Sequence, residues 1–213
     1  MLATLALGAL LAMPAPADFT TRIDNPYYPL RPGDRKVWRV TAPDGTRQKL
    51  VDHVTDRTRV IADGVRARVV IARVTNRRGK LVEYTEEWFA QDRAGNVWYF
   101  GEDTTDGPWE AGVDGAEPGI QMPAHPKAGM TYQLEGGYKA GAVDRTEILS
   151  VGKEQVEVPY GHFRRVIMNR DYSPVEPKVA ELQFYAKGVG GVLAIDISGG
   201  ATREELVRFH RGR

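Results

Sequence analysis

The residue types best suited to chemistry lie along one strand-like segment, Leu81 to Asp92. Strict alternation places Tyr84, Glu86 and Trp88 on the same face of such a strand. Because this face is the more apolar of the two, we expect it to line a concave surface or the core, where an unpaired carboxylate is costly. Arg73 falls on a similar face of the preceding segment. We therefore predict that Glu86 and Arg73 form an inward pair or act as polar anchors in a ligand cavity.

Two alternatives remain open for Glu86. A shift of the strand register by one residue would turn its side chain to the opposite face. A structural salt bridge would also hold the carboxylate without any ligand. Replacing Glu86 by Gln would leave ligand binding unchanged under either alternative.

Aromatic residues are concentrated around the same segment. Trp98 lies in the apolar run 97–100, and Trp109 lies in a Gly- and Pro-rich stretch. Large aromatic side chains of β proteins mostly occupy the core, whereas Trp109 could instead cover the mouth of a cavity. The candidate ligand-binding residues are Arg73, Tyr84, Glu86, Trp88, Trp98 and Trp109.

An acidic stretch rich in glycine and proline, 101–127, offers oxygen ligands of the kind that Ca²⁺ prefers. The spacing of its carboxylates matches no EF-hand, and exported proteins often carry solvated acidic loops. We therefore predict no metal site, with calcium as a secondary hypothesis. The calcium candidates are Asp103, Asp106, Glu110 and Asp114.

Nucleophilic catalysis finds little support in the sequence. The chain has no cysteine, and its three serines, Ser150, Ser173 and Ser198, lie in neither a G-x-S-x-G nor an S-x-x-K pattern. The four histidines are isolated from one another and from any H-E-x-x-H motif. We predict no catalytic residues and no cofactor.

The segments that would position these residues have the pattern of β-strands. Runs of alternating residues recur about every 10 positions and are separated by turn signals such as Asp44-Gly45 and Asp63-Gly64. No segment from residue 18 onward has a clear 3.6-residue period, so any helix is short. We expect an all-β antiparallel fold, with one or two short helices at most. Residues 18–213 would form one domain with a long loop at 101–127, either a functional lid or a plain connection.

The first 17 residues have the pattern of a secretory signal peptide. An uncharged apolar run, Leu2 to Met13, leads into Ala15-Pro16-Ala17, which predicts cleavage after Ala17. The alternative is an uncleaved anchor helix, although the run is shorter than a bilayer needs. No basic residue precedes the run, so whether Met1 is the true start stays open. We expect a secreted or periplasmic protein that is soluble after cleavage and has no transmembrane segment.

Composition excludes several function classes. The 213 residues carry 29 basic and 28 acidic side chains, a formal charge of +1, which argues against a nucleic-acid-binding or strongly membrane-surface protein. Without cysteine the chain can form no disulfide and carry no lipid on a lipobox cysteine.

Three motifs carry a family resemblance over about 165 residues: Tyr28–Gly33 followed by Trp38, Val158–Phe163 and Tyr185–Val192. In this order they resemble the "YYPLxxG…W", "VPxGxF" and "YAxGVGxV" motifs of bacterial exported proteins, the TapB-like and related families of unknown function. The resemblance implies a curved antiparallel sheet akin to the half-barrel of LolA and LolB, open or half closed. It implies no activity.

Together these features predict an exported, non-catalytic binding protein for a hydrophobic or amphipathic small molecule, such as a lipid-like ligand, in the cell envelope or outside the cell. This hypothesis rests on analogy of fold and on inward aromatic residues. One alternative is a structural module that contacts another envelope protein through a sheet edge or the 101–127 loop. Another is a hydrolase with a carboxylate acid and base. A filled concave face would favour the interaction module, and an open groove the carrier.

Overall fold

Strand-forming sequence dominates the residues that the computed structural model describes, 13–105 and 107–212, and it forms one antiparallel sheet. Two short 3-10 helices, Pro16–Asp18 and Tyr138–Ala140, lie outside it. The strands are β1 (Phe19–Thr20), β2 (Arg35–Thr41), β3 (Arg47–Val60), β4 (Arg66–Asn76), β5 (Leu81–Asp92), β6 (Val97–Asp103), β7 (Trp109–Glu110), β8 (Gly119–Met122), β9 (Thr131–Gln133), β10 (Arg145–Val158), β11 (Gly161–Tyr172), β12 (Ala180–Ala186), β13 (Gly190–Ser198) and β14 (Arg203–His210).

Two meanders make up the sheet, and the pairing of β2 with β14 joins them. The strand order is β7-β6-β5-β4-β3-β2-β14-β13-β12-β11-β10-β9, with β1 added to β5 and β8 to β6. The sheet curves without closing into a continuous barrel, and one isolated bridge, Glu117 to Gly136, connects its two ends. The predicted all-β, curved and open antiparallel sheet is confirmed.

Two strands are longer than the sequence pattern indicates. The alternation predicts separate strands at 47–55 and 59–62 and at 143–150 and 155–159, whereas β3 and β10 each continue through the gap between them. Bulges interrupt the alternation in both, between Val54 and Thr58 in β3 and between Val151 and Glu154 in β10. A bulge inserts an extra residue without ending the strand, so a period of two breaks down while the strand continues.

The stretch 101–127, expected as a long loop, is partly strand. It contains the end of β6, and its residues in β7 and β8 pair with β6. Pairing with β6 satisfies backbone groups that a free loop would expose to water. The sequence missed these strands because each spans only two to four residues.

The proline-rich segment before β2 closes one end of the curved sheet. The Asn25 side-chain amide donates hydrogen bonds to the carbonyls of Gly95 (2.9 Å) and Pro123 (3.2 Å). The backbone N–H of Gly188 donates to the Pro26 carbonyl. The turns that contain Gly95, Pro123 and Gly188 are thus hydrogen-bonded to the segment before β2. Tyr28 lies beside the rings of Phe89 and Tyr185 in the adjoining core.

Apolar side chains pack on both faces of the β4–β6 region. The inner face contributes Phe89 and Tyr99, whose rings stack at 4.8 Å. The outer face contributes Trp88, Trp98 and Phe100, and Phe19 packs edge-on against the rings of Trp98 and Phe100. Because apolar side chains are buried on both faces of these strands, the polarity of the side chains alone does not show which face points into the cavity.

A third apolar cluster lies where the outer part of the β10–β11 hairpin folds against β13 and β14. Val156, Val166, Val192 and Leu206 pack there. The backbone N–H of Tyr160, in the hairpin turn, donates to the Leu206 carbonyl (3.0 Å).

A bulge at Gly101 sets the direction of two side chains in the interior. Glu87 pairs with Glu102 and Phe89 pairs with Tyr99, so one residue of β5 faces two residues of β6. Tyr99 and Glu102 therefore both point inward, although three positions separate them. Gly101 has a φ of 127°, and a Cβ there would overlap the Trp109 carbonyl of β7. The bulge requires glycine at this position.

Replacing Gly101 by Ala should destabilise the fold by about 1–3 kcal/mol, because the residue would combine a strained backbone with a collision against β7. Chemical denaturation measures this loss. Gly79→Ala is the matched control, because Gly79 also has positive φ (77°) but open space around it, and it should cost only about 1 kcal/mol. Equal losses in the two variants would show that the close approach of β7 contributes nothing.

The predicted signal peptide lies mainly outside the described residues, which begin at Met13. Cleavage after Ala17 stays a prediction. In the part of the chain that the structure describes, no helix has the length and apolar character needed to cross a membrane.

Candidate functional site

The concave side of the sheet encloses a cavity of about 330 Å³. Both meanders contribute to its wall, and the segment before β2 contributes its base. The lining residues are Tyr28, Pro29, Leu30, Asp34, Lys36, Trp38, Leu50, Asp52, Val54, Val70, Ala72, Glu87, Tyr99, Glu102, Gln121, Leu134, Glu135, Asp171, Gln183, Tyr185, Gly191, Ala194 and Glu204.

Glu86 lies outside this cavity and forms a salt bridge. Its carboxylate accepts two hydrogen bonds from the Arg57 guanidinium (2.8 and 2.7 Å) and one from the Tyr84 hydroxyl (2.8 Å). Arg73 lies over the Tyr84 ring at 5.2 Å. The predicted inward pair of Glu86 and Arg73 is therefore wrong. Glu87 faces the cavity instead, as a one-residue shift of register requires.

The three candidate tryptophans are buried away from the cavity lining. Trp88 and Trp98 lie in the cluster on the outer face of β5 and β6, and the Arg59 guanidinium lies 4.1 Å from the Trp88 ring centroid. Trp109 is 6% exposed and packs edge-on against Tyr99 at 5.3 Å. Trp109 is thus part of the core. A ligand-binding role for any of the six candidates stays a prediction.

The calcium candidates are not gathered into one site. Glu110 pairs with Arg59 and accepts the Ala62 N–H, whereas Asp114 pairs with Lys139 (2.7 Å). Asp106 lies outside the described residues. Across residues 13–105 and 107–212, no three histidine or carboxylate side chains are arranged to hold a metal ion.

Carboxylates dominate the polar lining of the cavity. Lys36 is the single basic side chain among the described lining residues. The carboxylates come from five strands and two loop segments: Asp34, Asp52, Glu87, Glu102, Glu135, Asp171 and Glu204. The cavity therefore carries a strong excess of potential negative charge.

Alternation within each strand explains how these groups reach the cavity. In β3, Leu50, Asp52 and Val54 share the inward face, so the carboxylate lies between two apolar side chains. In β14, Glu204 points inward because it pairs with Val40 of β2 and Ala194 of β13. The pairing of β2 with β14 brings these two acids to the same cavity.

Some of the carboxylates have fixed hydrogen-bond partners. The Trp38 indole N–H donates to Asp52 (2.7 Å), and the Thr146 hydroxyl donates to Asp171 (2.7 Å). The backbone N–H of Gly212 donates to Asp34 (2.8 Å). These bonds orient single oxygens and supply no positive charge.

Burial raises the pKa of six of the cavity carboxyls, Asp52, Glu87, Glu102, Glu135, Asp171 and Glu204. The pKa of Glu135 rises to about 8, and the pKa values of Asp171 and Glu204 rise to about 7, each mainly through burial. The pKa of Glu87 lies well above its ordinary value, because the group is buried and the carboxylates of Asp52 and Glu102 repel a further negative charge. At neutral pH the cavity therefore contains protonated carboxyl groups as well as ionised ones.

Lys36 does not neutralise this set. Burial lowers the pKa of its amine, and the nearby Asp52 and Asp34 oppose that shift. Burial also raises the pKa of the Tyr28, Tyr99 and Tyr185 hydroxyls, so the phenols stay neutral. One amine and several neutral phenols leave most of the negative charge uncompensated.

The sequence analysis did not predict the acidic lining of the cavity, although one sequence pattern points to it. Leu50-x-Asp52-x-Val54 places an acid between apolar residues on one strand face. Such single positions occur on several strands, and only the folded sheet shows that they converge.

Comparisons with known proteins leave the family open. No protein-family model matches the sequence, and neither does any curated protein. The architecture is similar to that of a solved structure from Parabacteroides distasonis, described as a candidate lipoprotein, with 12% identity and a TM-score of 0.49 over 86% of this chain and 97% of that one. The resemblance of the three sequence motifs to TapB-like proteins stays a prediction.

Protein stability should fall as the pH rises from about 5 to about 8. The folded state holds protons on Glu135, Asp171 and Glu204 up to pKa values of about 7 to 8, whereas the unfolded chain releases them near pH 4. Across this window the folded state thus binds more protons than the unfolded state, so the free energy of unfolding falls as the pH rises. Thermal unfolding between pH 5 and pH 8 measures the effect.

Glu135→Gln should flatten this pH dependence, because the amide cannot titrate. Glu86→Gln is the control and should leave the slope unchanged, since hydrogen bonds from Arg57 lower the pKa of Glu86 and keep it ionised throughout the window. A melting temperature that rises from pH 5 to pH 8 would contradict the predicted titration.

Proposed function

We propose that this chain is a non-catalytic binding protein whose ligand is a small amphipathic cation, such as an amine with an apolar tail. The observation that carries the proposal is the set of seven carboxylates facing one cavity together with a single lysine. A cavity of about 330 Å³ lies at the lower end of the volumes typical of small-molecule sites.

The uncompensated charge favours a cationic group on the ligand. Carboxyls that share a site without cations hold protons, because their like charges repel and burial penalises ionisation. An ammonium group near Glu87, Glu102 and Glu204 would supply the missing charge and lower their pKa values. Binding would then release protons, and affinity would rise with pH across the range in which these groups titrate.

The remaining lining suits an apolar body. Trp38, Leu50, Val54 and Val70 present hydrophobic surface to the cavity. The aromatic faces of Tyr28, Tyr99 and Tyr185 can attract a cation as well as pack against a chain. A purely hydrophobic ligand would leave buried carboxylates without partners, so we narrow the expected hydrophobic or amphipathic ligand to an amphipathic one.

An open cavity favours binding over a purely structural role. An interaction module would fill its concave face with side chains, whereas here the two meanders leave space between them. A hydrolase based on two carboxyls would separate their pKa values, with one acid protonated and the other ionised. The shifts found in the cavity lining all raise carboxyl pKa values, as expected for a receptor that lacks its cation.

We place this function in the cell envelope or outside the cell. The support is the apolar run Leu2 to Met13 followed by Ala15-Pro16-Ala17 in the sequence. Native mass spectrometry of protein purified from its own host should reveal an added mass that organic extraction removes. An amine in the extract would identify the ligand class.

Calorimetry with three probes of equal length tests the charge of the ligand. We expect octylammonium to bind more tightly than octanol, and octanoate to bind least. Titrations at pH 8 in two buffers with different ionisation enthalpies should show proton release on binding of the amine. Comparable binding of octanol and octylammonium would refute a cationic ligand, and no binding of any probe would count against the carrier function.

Variants of the lining connect binding to the carboxylates. Glu87→Gln or Glu204→Gln should weaken octylammonium binding by roughly tenfold or more, since hydrogen bonds to charged groups contribute about 1.5–3 kcal/mol each. Glu86→Gln is the matched control because this neighbour of Glu87 lies outside the cavity. If Glu86→Gln weakened binding as strongly as Glu87→Gln, the cavity would not be the binding site.

A further inference from the structure

The outer face of four adjacent strands carries a second concentration of charge, of opposite sign to the cavity. The register of β14, β2, β3 and β4 places Arg39 beside Lys49 and beside Glu205, and Arg73 beside Val51. We call this surface the basic face. Its cations are Arg35, Arg39, Arg47, Lys49, Arg73, Arg203 and Arg208.

Most of these cations are exposed to solvent. Arg35, Arg47, Lys49, Arg73 and Arg208 are exposed side chains. Among the described residues, the ion pairs on this face are those of Arg39 and Arg203, which share one carboxylate.

That carboxylate, Glu205, is the single acid at the outward positions that the structure describes on these four strands. Arg39 approaches it at 2.6 Å and Arg203 at 3.1 Å. Further exposed cations, Arg77, Arg78 and Lys80, continue the positive charge into the turn between β4 and β5.

The formal charge of +1 conceals this surface. Seven of the 28 acidic residues line the cavity, among them Asp52 of β3 and Glu204 of β14, so these two strands carry acid on the inner face and cations on the outer face. The expectation from composition, that the protein is not a membrane-surface protein, depends on average charge. Local charge decides what a surface attracts, because salt screens charges more than about 8–10 Å away.

The arrangement of the cations indicates the kind of partner. Four strands span about 14 Å, and the stretch from Arg35 to Arg39 spans about 13 Å, so the charges form a two-dimensional array. The outward positions of these strands carry no Trp, Tyr or Phe, so the face offers no platform for stacking nucleic-acid bases. Val51 at its centre is only 8% exposed, so the middle of the face presents charged side chains rather than an apolar surface.

We propose that the basic face docks on the anionic headgroups of a phospholipid bilayer by peripheral electrostatic attraction. A bilayer presents closely spaced phosphates over an area, which complements an array of cations better than a single bound anion does. Each basic residue near such a surface strengthens binding by about fivefold at low salt. This docking is independent of the ligand in the cavity.

Sedimentation with lipid vesicles tests the proposal. The full chain should bind vesicles of phosphatidylcholine with one quarter phosphatidylglycerol much more tightly than vesicles of phosphatidylcholine alone. Raising the salt from 50 to 300 mM should abolish the difference. The apolar segment Leu2 to Met13 would bind both kinds of vesicle, so the comparison removes its contribution.

Matched triple variants locate the interaction. Arg35→Gln, Lys49→Gln and Arg73→Gln together should weaken binding to the anionic vesicles by about 100-fold, from three contributions of about fivefold each. The control removes the same charge from exposed positions elsewhere, Lys153→Gln, Arg164→Gln and Lys187→Gln, and should change binding by less than about fivefold. If the first triple variant does not fold, Lys49→Gln alone should still weaken binding by about fivefold.

Three outcomes would overturn the proposal. Equal binding to neutral and anionic vesicles would exclude an electrostatic contact, and equal losses in the two triple variants would exclude the basic face. Binding to heparin or duplex DNA without binding to anionic vesicles would assign the face to a polyanionic polymer instead. None of these outcomes depends on whether octylammonium enters the cavity.

Discussion

The antiparallel pairing of β2 with β14 is the contact on which the rest of the molecule depends. It joins the first strand of one meander to the last strand of the other, across more than 160 residues of chain. Every other neighbour in the main strand order is also a neighbour along the chain. Because of this long-range pairing, the two meanders share one concave side, and acids such as Asp52 and Glu204 face the same space.

Bulges determine which side chains use that space. Gly101 allows Tyr99 and Glu102 to point inward together while Phe100 packs into the cluster on the outer face. Tyr99 in turn lies between Phe89 and Trp109, so the bulge connects the cavity wall to the core. A strand with regular alternation would send one of these side chains to the wrong side of the sheet.

Charge is segregated across the same strands. In β3, Asp52 points into the cavity, whereas Lys49, three positions before it, points to the opposite face, as does Arg35 of the neighbouring β2. Burying acids raises their pKa values and lowers the stability of the fold at neutral pH. Retaining buried acids therefore lowers the stability of the protein without its ligand, and a bound cation could restore that stability. Such locally unfavourable groups are typical of binding sites.

Local sequence pattern predicts most of the strands, the antiparallel class and many turn positions, because alternation and turn residues such as Asp44-Gly45 act over a few neighbouring positions. It did not determine which face of β5 looks inward, since apolar cores cover both faces of the strand. The assignment of Glu86 to the interior failed for that reason, and Glu87 took its place through a one-residue difference in register. The acidic cavity and the basic face exist only in the folded sheet, because each collects single residues from strands that are distant in the chain.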